Sequence, residues 1–204
     1  IKMEIFGLDI IALAVKFWQF TVFGLLIILG FIINTSDKIH LKGKTVGFTY
    51  KEYPHMQPIL IATKGKGFWG AIWLWMMTTR TWTVSKDFHY KLNGEELVIP
   101  EGFTFDGASV PKFLASFLSP VGVLLIGGLI HDYGYKYTTL LSKDKKSTIG
   151  TKDQHWMDRT FRDINIEVNG FHFLNYLAYW ALRAGGFVAW NGHRKRNTKI
   201  KGLK

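Results

Sequence analysis

The sequence predicts an α+β protein in three parts: an N-terminal transmembrane helix, a short antiparallel hairpin or small sheet, and a mainly helical C-terminal domain. Three patterns point there. Phe17 to Ile33 runs 17 residues without a formal charge. Thr78 to Ile99 carries alternating apolar residues and an Asn93-Gly94 turn signal. Beyond Val121, three segments repeat apolar residues at helical spacing.

The anchor comes first. Ile10 to Ile33 spans 24 residues interrupted only by Lys16. At 1.5 Å per residue it reaches about 36 Å, enough to cross a hydrocarbon core of roughly 30 Å with some tilt. Asn34-Thr-Ser-Asp37 stops the run, and no small-x-small cleavage site follows, so residues 1–36 read as a retained anchor rather than a signal peptide. Lys38, Lys42, Lys44 and Lys51 lie downstream, against Lys2 and Lys16 upstream. The positive-inside rule then predicts a single-pass membrane protein whose main domain faces the cytoplasm or a virion interior.

Residues 37–77 read as a connector with short extended pieces around Pro54 and Pro58, leading into the Trp-rich stretch Gly67 to Thr79. At 13 residues that stretch is too short to span and reads as interfacial or partner-packed. Residues 78–192 read as the main domain. Thr78 to Leu92 is a half-buried strand, Asn93-Gly94 turns the chain, and Glu96 to Ile99 returns. A loop follows, with an Asp106-Gly107 turn and Ser109 ahead of Pro111 at a helix start. Val121 to Tyr137 is a helix whose Gly127, Gly128 and Gly134 lower its intrinsic helicity, so close packing must compensate. Lys143 to Lys152 is a polar loop. Gln154 to Asn165 is a helix with Met157, Phe161 and Ile164 on one face, and Phe171 to Trp190, with Arg183 inside it, reads as a buried amphipathic helix rather than a second span. His193 to Lys204 holds six Lys and Arg and reads as a basic tail, disordered until it meets phosphate.

Composition narrows the partners. Lys and Arg number 26 against 15 Asp and Glu, a formal charge of +11, which favours a polyanionic surface. Beside a membrane segment, anionic lipid headgroups are the simpler partner, with nucleic acid or other virion proteins as alternatives for the tail. No cysteine is present, which excludes disulfides and thiolate metal sites.

The chemistry-bearing stretch is Leu129-Ile-His-Asp-Tyr-Gly-Tyr135. Adjacent helical residues point about 100° apart, so His131 and Asp132 cannot serve one atom, while Tyr135 shares a face with both. A base and a metal ligand working side by side suit that arrangement. His155, near Asp153 and Asp158, reads instead as part of a solvated face, and Ser109 lacks the pattern of a nucleophile elbow.

Val98-Ile-Pro-Glu-Gly-Phe-Thr-Phe-Asp-Gly-Ala-Ser-Val-Pro111, the His131-Asp-x-x-Tyr135 block and Asp158-Arg-Thr-Phe161 resemble, in this order, the bacterial and phage family catalogued as domain of unknown function 1353. The resemblance runs from about Thr78 to Trp190; Phe105 departs from the family pattern while Asp106 is kept. That family implies no activity. A more distant resemblance, to secreted phospholipases A2, does: there a His activates water, the next Asp binds calcium, and a later Asp orients the His with help from a Tyr. It implies His131 as base, Asp132 as calcium ligand, Tyr135 as support and Asp158 as orienting carboxylate. The stapling cysteines and the glycine-rich calcium loop of those enzymes are absent, which leaves Asp106 and its loop as the source of further calcium ligands.

The function expected is therefore calcium-dependent hydrolysis of a lipid ester by a membrane-anchored protein of phage or bacterial type. The alternative is a non-enzymatic membrane or virion structural protein contacting lipid, capsid or genome, in which His131, Asp132, Asp158 and Asp106 only link two helices through hydrogen bonds.

Overall fold

The computed structural model describes residues 4–5, 8–9, 18–40, 46–78, 81–106, 122–150, 153–196 and 199–203. In chain order the elements are β1 (Glu4–Ile5), β2 (Leu8–Asp9), α1 (Trp18–His40), β3 (Thr49–Tyr50), β4 (Met56–Pro58), α2 (Gly67–Met77), β5 (Trp82–Val84), β6 (Phe88–Leu92), β7 (Glu95–Ile99), β8 (Thr104–Phe105), α3 (Leu125–Tyr137), β9 (Leu140–Ser142), β10 (Thr148–Ile149), α4 (Gln154–Asn169) and α5 (His172–Arg196). The architecture is α+β, with antiparallel sheets and a helical C-terminal part.

The hairpin forms where the turn chemistry places it. Asn93 and Gly94 take φ of 52° and 83°, the left-handed values a two-residue hairpin turn needs. Phe88, Tyr90 and Leu92 of β6 point into the core, and His89 and Lys91 point out. Around this pair grows a five-stranded sheet in the order β10-β9-β7-β6-β3. The expected strand from Thr78 to Leu92 is two strands, because β5 belongs to a separate sheet, β4-β5-β8. The break falls beside Asp87, whose carboxylate accepts the Glu101 N–H at 2.8 Å and pairs with Lys145 at 2.5 Å, pinning a corner between the sheets. The expected polar loop after Lys143 contains β10.

Helix α3 is the centre of the domain, buried along most of its length between β8, β9 and the helices α4 and α5. Its glycines let α4 approach closely: a Cβ at Gly127 would overlap the Asn165 amide, and one at Gly134 the Met157 thioether. Asp153 starts α4 by accepting the Trp156 N–H at 2.6 Å, an N-cap that orders the first turn. Met157, Phe161 and Ile164 are buried as their spacing implied. In α5 the buried residues His172, Asn175, Ala178, Tyr179, Leu182 and Gly186 form one stripe, while Trp180, Phe187 and Val188 face outward.

Two expectations are corrected. Among the described residues no helix is long and apolar enough to cross a membrane, so the expected single-pass anchor is not met. Residues 10–17 of the longer expected span lie outside the described residues, and α1 does not stop at Asn34 but runs to His40 through polar Asp37 and Lys38. Part of α1 is docked on the domain: Gly30 meets the Phe173 ring, and Asn34 accepts the His172 N–H at 2.8 Å. The basic tail is also more ordered than expected. Helix α5 continues to Arg196, and the Lys201 carbonyl accepts the Tyr133 hydroxyl at 2.9 Å.

Candidate functional site

Three helices each contribute to one buried polar centre. Helix α3 supplies His131, Asp132 and Tyr135, α4 supplies Asp158 from its second turn, and α5 supplies Arg183 from beside its buried stripe. His131 is 3% exposed and Asp158 fully buried. His131 Nε2 stands 2.9 Å from Asp158 Oδ1, and the same oxygen accepts the Tyr135 hydroxyl at 2.5 Å. Arg183 donates to Asp158 Oδ2 at 2.8 Å. Gln154 in turn donates to the Tyr135 hydroxyl at 3.2 Å.

Both oxygens of Asp158 are therefore engaged by donors. Burial pushes this carboxyl up, but the bonds from His131, Tyr135 and Arg183 outweigh it and hold the pKa below the usual range. An ionised Asp158 can only accept, so a proton lies on His131 Nε2, and in the neutral ring Nδ1 keeps its lone pair. That Nδ1 is buried and has no hydrogen-bond partner. Asp132 Oδ1 is 3.6 Å away, too long for a hydrogen bond but close enough to act through charge. Burial pulls the His131 pKa down, and the Asp132 and Asp158 carboxylates more than reverse this, leaving it raised. Asp132 itself is pushed up to about 6, by burial first, with Asp106 adding repulsion. Its Oδ2 is a second buried atom without a partner.

Sequence reasoning named His131, Tyr135, Asp158, Asp132 and Asp106. The first three meet in one hydrogen-bonded cluster, Asp132 lies on its outer side, and Asp106 sits exposed at the end of β8 within electrostatic range of Asp132. Gly107 to Ser109 and Pro111 lie outside the described residues. Arg183 was missed as a member; the one signal was a cation inside an apolar helix. His155 is apart from the centre, against Arg159 and Tyr179.

The donor set fits a hard cation in kind but not in number. Asp132 offers an unpartnered carboxylate oxygen with Asp106 nearby, whereas calcium takes 6–8 oxygen ligands. Among the described residues no group of three or more His, Cys, Asp or Glu side chains is placed to hold a metal ion.

The fold and site together define an α+β domain built around a His–Asp–Arg–Tyr centre on three packed helices. Residues 82–182 match the family described as "Protein of unknown function (DUF1353)", and the chain belongs to this family. The match takes in His131, Asp132, Tyr135 and Asp158 and ends one position before Arg183. No curated protein and no solved structure matches the chain.

Proposed function

We propose that this protein is an ester hydrolase acting at a lipid surface, with His131 as general base. One observation carries the reading: His131 is anchored on its Nε2 side by Asp158 while Nδ1, beside the unpartnered Asp132 Oδ2, has nothing to bond. A buried lone pair left open is costly, and a reactant water that accepts its service removes the cost. Nδ1 takes a proton from that water as its oxygen bonds to the ester carbonyl carbon. The tetrahedral intermediate then breaks its bond to the alcohol oxygen, and Nδ1–H returns the proton to the leaving alkoxide, giving a carboxylic acid and an alcohol. Asp158 keeps the ring oriented throughout, and Arg183 keeps Asp158 ionised. Asp132 and Asp106 would be the residues to hold a calcium ion, with water or substrate oxygens completing its shell, and the ion would supply positive charge for the developing oxyanion.

The lipid surface is supported by charge and exposed apolar area. The chain carries +11, and α1 turns Leu25 to Leu29, Phe31 and Ile32 outward, while α2 does the same with Phe68, Trp69, Trp73 and Trp75. Trp combines an apolar body with a polar tip that suits the headgroup level. A non-enzymatic structural protein at the same surface is the second reading, favoured by the near-complete burial of His131.

Fatty-acid release from vesicles of several headgroups, with and without a calcium chelator, separates the two. The hydrolase reading expects chelator-sensitive release that His131→Asn abolishes while calcium affinity survives. It also expects the rate to fall on acidification, with a midpoint above the ordinary imidazole value of about 6.5, because the working form is neutral and the pKa is raised. Absence of release on every headgroup, with His131→Asn lowering only the melting temperature, leaves the structural reading.

A further inference from the structure

We propose that Lys136, Arg196 and Lys201 form a phosphate-binding subsite where α3 ends, one helical turn from Asp132. As a headgroup site this rests on the hydrolase reading; as an anion site it does not.

Lys136 follows Asp132 by four residues, so both side chains lie on one face of α3, with backbone positions about 6 Å apart. The ammonium of Lys136 is held 5.3 Å from the Phe103 ring centre and 5.6 Å from that of Tyr137. Lys201 is brought in by the returning tail. Its carbonyl is tied to the Tyr133 hydroxyl, its ammonium stands 3.3 Å from where a Cβ on Gly102 would be, and Gly202 sits so close to Pro100 that a side chain there would strike the ring. Arg196 closes α5, with its guanidinium folded back on the preceding turn: Nε donates to the Gly192 carbonyl at 3.2 Å and one amino nitrogen faces His193 Nδ1 at 3.2 Å.

A cation cluster at a helix C-terminus has an ordinary explanation, the free carbonyls there. Here Arg194 already meets that need, donating to the Tyr135 carbonyl and, at 2.9 Å, to the Lys136 carbonyl while stacking on Trp190. The other three cations are left over. Among the described residues none has a carboxylate within 4.0 Å. Burial, then repulsion from Arg196 and Lys201, pulls the Lys136 pKa below the ordinary lysine value, against the attraction of Asp106 and Asp132. Like charges gathered with no carboxylate in contact are relieved by a bound anion, and a tetrahedral phosphate offers enough oxygens for three donors at once. Placed there, a phosphate lies about one turn along α3 from Asp132, the residue next to His131. The substrate class this implies is an ester that carries a phosphate.

Calorimetric titration of the whole chain tests it, with inorganic phosphate, a soluble glycerophosphodiester and a short-chain phosphatidylglycerol below its micelle concentration. The wild type, Lys136→Gln/Lys201→Gln, His131→Asn, and Lys86→Gln as a remote control are compared after their melting curves confirm folding. The expected result is binding that weakens at least tenfold in the double variant, is unchanged in Lys86→Gln, and declines with salt. Tighter binding of the lipid than of inorganic phosphate assigns the site to a headgroup; binding of inorganic phosphate alone overturns the headgroup assignment. Equal affinity in the folded double variant and the wild type overturns the subsite. Vesicle hydrolysis on the same proteins keeps the two proposals apart: phosphate binding that follows the cations without any turnover sinks only the hydrolase reading, and turnover with an indifferent double variant sinks only the subsite.

Discussion

The three-helix centre and the α1–α2 surface break the usual inside–outside rule in opposite directions. Between α3, α4 and α5 the protein buries Asp158, Asn165 and Asn175 completely, while α2 leaves Trp69 78% exposed and has no buried residue. Buried polar groups are tolerated when their partners are built in, and exposed aromatics when a partner comes from outside. The contrast teaches where each region gets its stability: the centre from within the chain, the surface from whatever it meets.

Removing Asp158 is the hardest test of the first half. Asp158→Ala strands His131, Tyr135 and Arg183 together and is expected to cost about 3–5 kcal/mol in urea unfolding. A loss under about 1 kcal/mol would mean that the cluster does not hold the helices. Next in size is Gly127→Ala, which forces the Asn165 amide away from the Gly127 N–H it accepts at 3.1 Å. The expected loss is about 1–3 kcal/mol, read from the melting curve.

Asp132 lies on the outer side of the centre, and the effect of replacing it has the opposite sign. Its folded pKa, about 6, lies above the unfolded value of about 3.9, so its ionisation disfavours the fold increasingly from near pH 4 and fully above pH 6. Asp132→Asn should therefore stabilise by on the order of 1 kcal/mol at pH 8 and lose that advantage near pH 4. Melting temperatures at the two pH values give the answer, and a destabilised variant at pH 8 would show that Asp132 belongs to the supporting network. Smallest is the effect of Trp73→Ser with Trp75→Ser on folding, expected within about 0.5 kcal/mol per site. The same pair should lose vesicle affinity in a sedimentation assay; unchanged binding would remove α2 from the lipid surface.

Local chemistry was legible in the sequence. Asn93-Gly94 needs only its own backbone preferences to turn the chain, and spacing sets the faces of α3 and α4, while the resemblance to secreted phospholipases A2 is what joined Asp158 to His131 and Tyr135 before their contacts were known. Long-range choices were not. The strands β3, β9 and β10 are two or three residues long, too short to show a period, and owe their existence to partners far along the chain. Arg183 lies 25 residues from Asp158, and only the crossing of α5 over α4 turns it from an interruption into a partner. The tail failed for a related reason: charge argued for disorder, and the Tyr133 hydroxyl that receives it lies 68 residues upstream.

Helix α4 also reaches out to the sheet. Near its end Glu167 accepts the Val46 N–H at 3.1 Å and the Phe48 N–H at 3.2 Å, the segment that leads into β3. The two ends of that link are 121 and 119 residues apart in sequence. Translation at 5–20 residues per second places roughly 6–24 s between the emergence of Val46 and that of its acceptor. During that interval two backbone donors beside the sheet edge have no native partner, so a nascent chain paused before α4 is the species most open to pairing with a neighbour's strand.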